Sequence, residues 1–448
     1  MNYLSIDIGA SSGRLILGHL EDGKISLEEI YRFPNGPKEN KEGRLIWDID
    51  ALFASILEGL KILGERKIKI ESLGIDTWAV DYVLLDENGA RIGDAYCYRD
   101  ARGGENKDPV HASLPFEELY ARTGIQYQPF NTIYQLHDDL NSGKLAKASC
   151  FLMLPDYLHY RLTGEMRQEY TNAVSTGMVN AKSHTWDPEI LERLGYPKKL
   201  FKELSQPGAL VGHLKKEIQE AVGFDCKVVL PATHDTGSAV LASPAPFGAP
   251  YLASGTWSLL GVEEKVPHTD EKSMALNYSN EGSTEFAYRY QKNIMGLWII
   301  QQIRHELKDA YSFPEIVKMA EENPTAKCFD VNEEIFLAPK SMIEAVKSRV
   351  GDLPLGELFY SVYNSLALSY KKAVEELEGL TGHKFGSLTL LGGGTKNALL
   401  NRLSEQALGI PLSLGPTEAS AEGNLLVQAI ASGEVKDAIE AKRIIQNS

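Results

Sequence analysis

The same local design occurs twice in this chain: an apolar strand, a tight turn of glycine and small polar residues, and an apolar strand that returns. The first copy runs Tyr3–Ile8, turns through Gly9–Gly13 and comes back as Arg14–Leu20. The second opens at Ala249, turns at Ser254-Gly255-Thr256 and runs on to Val262. Each reads as a β-hairpin. A chain that opens both halves in this way is expected to fold as two related lobes facing each other. With 448 residues, 43% of them hydrophobic, it has the material for two cores and a deep cleft between them.

The elements between the hairpins fit an α/β architecture. Leu52, Ile56, Leu60 and Leu63 recur at helical spacing and predict a helix over Ile49–Lys67. Ser72–Leu85 reads as strand, irregular segment, strand, closed by the turn residues Asp86–Gly89. Ser243–Pro250 holds three prolines in eight residues, which suggests a crossing between domains. The expected domains are therefore 1–245 and 246–448. Periodicity predicts a second long helix over Leu355–Leu380. Ser387–Asn397 reads as a strand entering a glycine turn, and Asn397–Leu408 as the helix that follows.

Charge and cysteine content narrow the function. The net charge is -15, from 46 basic and 61 acidic residues, so neither nucleic acid nor an anionic membrane is an expected partner. The four cysteines, Cys97, Cys150, Cys226 and Cys328, are far apart and form no CxxC pair. A zinc site and a disulfide framework are both unexpected, and buried free thiols are the default. Met1–Leu20 mixes Asp, Arg and Gly into its apolar residues and does not read as a signal peptide. No run approaches 18 apolar residues, so the expectation is a soluble, cytoplasmic protein. Oligomeric state is not legible.

Phosphate binding needs backbone N–H groups aimed into a concavity free of side chains, and Gly and Ser in tight turns supply it. Gly9–Gly13, Ser254–Thr256 and Gly392–Gly394 are three such turns, each after an apolar strand. The GxxxxGK[ST] and GxGxxG patterns are absent, which removes P-loop and dinucleotide folds. Asp7, two residues before the first turn, can hold Mg²⁺ directly or through water, or can fix the turn by hydrogen bonding; the metal role is preferred. Asp235 lies where the strand ending at Pro231 gives way to a helix opened by small residues. There it can accept a proton from a substrate hydroxyl or cap the helix. His234 beside it is either a packed residue or a contact for substrate hydroxyls.

Taken in order, Asp7–Arg14, His234–Thr236, Ser254–Ser258 and Leu391–Gly394 resemble the phosphate, catalytic, second phosphate and adenosine segments of the FGGY carbohydrate kinases. The resemblance runs from residue 3 to about residue 430. It implies the actin-like ATPase fold, two ribonuclease-H-like lobes around a nucleotide and sugar cleft, with ATP and Mg²⁺ as cofactors. By matching position it implies that Ala10, Ser11, Ser12, Gly13 and Arg14 meet the nucleotide phosphates, and Thr256 the γ-phosphate region. Gln301 would lie close to the nucleotide, with Gly392, Gly393 and Gly394 against the nucleoside. Ala79, His234, Asp235, Thr236 and Asn293 would line the sugar site, with Asp235 as general base.

Gly74–Asp81, Tyr98–Arg102, Gln128–Thr132, Leu154–Tyr157 and Lys292–Trp298 resemble the branch of the family that phosphorylates L-rhamnulose at its 1-hydroxyl. The implied partner is a small-molecule ketose. One departure is Ala79, where that pattern carries Gly. Trp78 and Trp298 can be core residues, and Asp81 is left open between sugar and backbone. Two other readings stand beside this one: a kinase for another ketose or polyol, and an actin-like nucleotide switch that binds a partner protein.

Overall fold

The computed structural model describes residues 1–447. They form two compact units: Met1–Ala242 with Glu264–Tyr290 and the residues from Ser420 onward, and Ser243–Glu263 with Gln291–Ala419. The expected split at 245 is a single cut, whereas the chain leaves the first unit after Ala242 and returns to it twice. Prolines flag the first crossing. The others fall at the end of one strand (Trp257–Glu264), within another (Tyr288–Met295) and at the head of the helix Ala419–Ser432, where composition does not change.

The main sheet of the first unit has six strands in the order Leu210–His213, Lys227–Val229, Ser72–Thr77, Asn2–Ile8, Ser12–Glu21, Lys24–Pro34. The last three form an antiparallel meander, and Ser72–Thr77 pairs parallel with Asn2–Ile8. Asp7 stands in register with Arg14 on one neighbour and with Asp76 on the other. Residues paired in register point to one face, so three ionisable side chains meet there.

The predicted helix forms over Ile49–Glu65, started by Asp48, whose side chain accepts the Ala51 N–H at 3.0 Å. Leu52, Ile56, Leu60 and Leu63 are its buried stripe, packed with Leu4, Ile6, Ile8, Leu73 and Ile75 of the sheet. Each such side chain contributes about 1.5–3 kcal/mol on burial.

Ser72–Leu85 holds the two strands read from sequence, but they belong to different sheets. Tyr82–Leu85 leaves the main sheet and pairs antiparallel with Cys150–Met153. A second core of the first unit gathers there, around Tyr82, Ile133, Phe151, Met153 and Trp186. In the other unit, Tyr251–Ser254 and Trp257–Glu264 form the second hairpin. Leu388–Leu391 lies parallel to its first strand, with Ala253 opposite Leu391. The long helix spans Leu355–Thr381, and Asn397 caps the helix Ala398–Leu408 by accepting the Leu400 N–H at 3.0 Å.

All four cysteines are free, and Cys97, Cys150 and Cys226 are buried as expected. Cys328 corrects the expectation: it is exposed, on the stretch 324–330 that forms neither helix nor strand.

Candidate active site

In the first unit, the turn after Asn2–Ile8 is closed by the Gly9 N–H on the Ser12 carbonyl at 2.9 Å, leaving Ala10 and Ser11 at its apex. Asp7 sits just before it and accepts from Arg14 Nη2 at 2.9 Å and Nε at 3.2 Å through the same oxygen. Arg14 is thus seated on Asp7. Asp76 is fully buried, and its Oδ2 accepts from Asn424 Nδ2 at 2.5 Å while its Oδ1 has no hydrogen-bond partner. Burial first, then the neighbouring Asp7, push the Asp76 carboxyl far above the usual carboxylate range, against the pull of the Asn424 amide.

Asp235 is the first residue of the helix Asp235–Leu241, and the capping position falls to His234, which makes no side-chain cap bond. The Asp235 carboxylate folds back on its neighbour, accepting the Thr236 N–H at 2.6 Å and the Thr236 hydroxyl at 3.1 Å. About a third of its side chain stays open, at 31% exposure. Desolvation and the charge of Asp7 raise its pKa to about 6; the two Thr236 bonds and the Arg289 charge oppose the shift. A reachable carboxylate with a pKa near neutrality has the profile of a general base.

The approach to Asp235 is held from two sides. Thr77 N–H donates to the Thr233 carbonyl at 2.9 Å, tying the end of strand Ser72–Thr77 to the segment before the helix. Glu169, wholly buried, accepts the Thr233 hydroxyl at 2.6 Å and the Thr233 N–H at 3.2 Å. His234 is 8% exposed, and burial, then the Arg289 cation, hold its ring well below the ordinary histidine pKa, in the neutral form.

Beyond Thr77 the chain makes a tight turn in which one carbonyl after another is satisfied. Trp78 O accepts from Thr77 Oγ1 at 2.7 Å, Ala79 O from Asp81 N at 3.0 Å, and Val80 O from Thr132 Oγ1 at 2.7 Å. Val80 sits at φ +69, left-handed backbone that a β-branched residue adopts only under constraint. Asp81 supplies the constraint. Its carboxylate accepts from the Trp47 and Trp78 indoles at 2.6 and 2.8 Å, from the Tyr98 N–H at 3.1 Å and from Gln135 at 3.3 Å. The open choice for Asp81 thus resolves toward protein partners, and Trp78 is a core residue packed against Trp47, with the ring centres 4.2 Å apart and the planes tilted by 41°. Ala79 is the one residue of Trp78–Asp81 that is only half-buried.

The second unit gathers the other expected residues. The helix Trp298–Glu306 docks on the hairpin turn: Leu297 N–H donates to Gly255 O at 2.9 Å and Trp298 N–H to Thr256 O at 3.2 Å. This needs Gly296, where an added Cβ would lie 2.7 Å from the Gly255 carbonyl oxygen. It also sets Thr256 Oγ1 3.3 Å from Gln301 Oε1. Beside the same turn, Gly392 adopts φ +81, and a Cβ on Gly394 would strike Ser254 Oγ at 2.1 Å. Gly393 faces open space. Asn293 lies on the strand Tyr288–Met295 with its Oδ1 buried and unpaired.

Asp7, Ala10–Arg14, Ala79 and His234–Thr236 thus belong to the first unit, and Thr256, Asn293, Gln301 and Gly392–Gly394 to the second. Sequence profiles agree with this content. The N-terminal domain of the FGGY family of carbohydrate kinases matches residues 2–242, and the C-terminal domain of that family matches 251–432. The chain belongs to the FGGY family of carbohydrate kinases. This FGGY kinase is 43% identical over 453 residues to the rhamnulokinase of Oceanobacillus iheyensis, covering 99% of this chain and 96% of that one. It is 45% identical over 462 residues to the rhamnulokinase of Halalkalibacterium halodurans, covering 100% and 97%. Among solved structures it resembles a ligand-bound xylulose kinase from Lactobacillus acidophilus, with TM-score 0.81 at 18% identity over 99% of this chain and 92% of that one. Plasmodium falciparum glycerol kinase with ADP gives TM-score 0.79 at 15% identity, again over 99% and 92%. The fold is that of the FGGY sugar kinases, mixed α/β with a sheet in each unit, and no described helix is long and apolar enough to cross a membrane.

Three groups escaped the sequence reading. Arg289 and Glu169 carry no local motif. Asp76 did carry a signal, an acidic residue directly after the run Leu73–Ile75 in a strand buried throughout.

Proposed function

We propose that this FGGY kinase transfers the γ-phosphoryl group of ATP to the 1-hydroxyl of L-rhamnulose, giving L-rhamnulose 1-phosphate and ADP. The observation that carries the chemistry is the partly open Asp235 carboxylate, fixed by Thr236 and raised to about 6. The choice of sugar is supported by the full-length identity to proteins named rhamnulokinase.

Asp235 takes the proton of the 1-hydroxyl as its oxygen attacks the γ-phosphorus in line. His234, Thr236, Ala79 and Asn293 hold the sugar. Asn293 brings a buried amide oxygen that lacks a partner and suits a sugar hydroxyl. Ala10–Arg14 and Thr256 steady the phosphates, Gln301 lies near the nucleotide, and Gly392–Gly394 give the nucleoside a surface without side chains. Phosphoryl transfer is mostly positioning and charge stabilisation, so these contacts matter as much as the base.

The Asp7 carboxylate suits Mg²⁺, a hard cation that takes one or two carboxylates and fills its remaining positions with water and phosphate oxygens. Bound there, Mg²⁺ supplies positive charge against the phosphates. ATP as donor makes the cytoplasm the setting.

A coupled ADP-release assay across ketoses and polyols tests the reading. L-rhamnulose should give the highest kcat/KM. A higher value with xylulose, ribulose, fuculose or glycerol would overturn the substrate, and no sugar-dependent ADP release would overturn the activity.

A further inference from the structure

We propose that Arg289 is a positioning residue of the sugar site: its guanidinium fixes the proton of the His234 ring on Nε2, so that His234 meets substrate as a hydrogen-bond donor. The proposal rests on the sugar-site role given to His234 above.

Arg289 lies on the strand Tyr288–Met295 and is wholly buried. Its Nη2 stands 3.0 Å from His234 Nδ1. A guanidinium keeps its charge and can only donate, so Nδ1 must offer its lone pair. In a neutral imidazole the proton then sits on Nε2.

Both ends of this contact are immobilised. Arg289 Nε donates to the Gly282 carbonyl at 2.9 Å, which fixes the plane of the guanidinium. Gly282 is itself tightly packed, since a Cβ there would lie 3.0 Å from Thr171 Cα. On the other side, Glu169 grips Thr233, the residue before His234. The ring therefore presents Nε2 in one direction. That nitrogen is 3.7 Å from Asp235 Oδ1, beyond hydrogen-bond reach, so the carboxylate does not consume its proton. A donor and a base stand side by side. When Asp235 takes the proton of one hydroxyl, the Nε2–H is placed to donate to an oxygen on the adjoining carbon, which in a 2-ketose reacting at C1 is the C2 oxygen.

A purely structural role explains Arg289 poorly. Its Nη1 is buried without a hydrogen-bond partner, as is Oε2 of the nearby Glu281. An unpaired buried donor weakens a fold, and an apolar side chain of similar length would avoid it.

The test is a long-range ¹H–¹⁵N spectrum of the full-length protein labelled at histidine, with His234→Gln identifying the signal. The expected pattern at neutral pH without sugar is a pyridine-like Nδ1 and a pyrrole-like Nε2. In Arg289→Met the two signals should move toward each other, and KM for L-rhamnulose should rise about tenfold or more while KM for ATP stays, as for loss of one charge-assisted hydrogen bond. Arg289→Lys, which keeps a donor, should restore part of the loss. A pyrrole-like Nδ1 in the native protein overturns the proposal, whatever happens to the variants. So does a folded Arg289→Met protein with native histidine signals and native KM. Because the tautomer is read without substrate, the proposal stands or falls separately from the choice of L-rhamnulose, and KM can be read on whichever sugar the enzyme accepts.

Discussion

Asp235 is under opposed influences: burial and the Asp7 charge favour its neutral form, while Thr236 and Arg289 favour the ion. The balance near 6 has two consequences. A base must be ionised to act, so kcat/KM should fall below an acid limb with an apparent pKa of about 6, against about 3.9 for an unperturbed aspartate. A flat profile down to pH 5 would contradict this. The same shift bears on stability. Between the ordinary pKa and 6 the folded state holds a proton that the unfolded chain has lost, so above 6 the folded protein carries a charge it would rather not bury. Asp235→Asn should therefore raise Tm at pH 7.5 by on the order of a few degrees. The gain should shrink as the pH falls from 6 toward 4. A lowered Tm at pH 7.5 would mean that the Thr236 bonds outweigh the desolvation.

At the scale of elements, the site depends on one close helix contact within the first unit. The helix Ala419–Ser432 crosses the helix that begins at Asp235, with Gly423 against Ser238: an added Cβ would lie 1.8 Å from the Ser238 carbonyl oxygen. Next to it, Asn424 donates to Asp76 and to the Gly74 carbonyl, the latter at 3.1 Å. Gly423→Ala should therefore cost about 1–3 kcal/mol in a denaturant titration, as overpacking does, and lower kcat as well. A native midpoint would show that the helices can separate freely. Such contacts explain what was legible in the sequence. The two hairpins and the helix Ile49–Glu65 were readable because strand, turn and periodicity are local signals. The pairing of Tyr82–Leu85 with Cys150–Met153 was not, because its partner is remote in the chain. Arg289 meets His234 across 55 residues, and nothing near either one announces the other. Asp7 and Asp235 could be singled out from their corners, but the shared face of Asp7, Asp76 and Arg14 needed the register of the sheet.

For the whole molecule, the groups assigned to sugar and to nucleotide are spread over two units that the chain threads in alternation. A kinase whose acceptor is a sugar hydroxyl is expected to complete its catalytic arrangement only when both substrates are bound, which also keeps water from taking the phosphoryl group. ATP hydrolysis without sugar should be slow, and L-rhamnulose should accelerate ADP release. Sugar-independent hydrolysis at the full rate would contradict the account. The central claim is that the carboxylate at 235 deprotonates the sugar, and the direct measurement is kcat with saturating L-rhamnulose and ATP for Asp235→Asn beside the native enzyme. The account predicts a loss of roughly 10²–10⁴-fold with ATP affinity unchanged; a kcat close to the native value would contradict it.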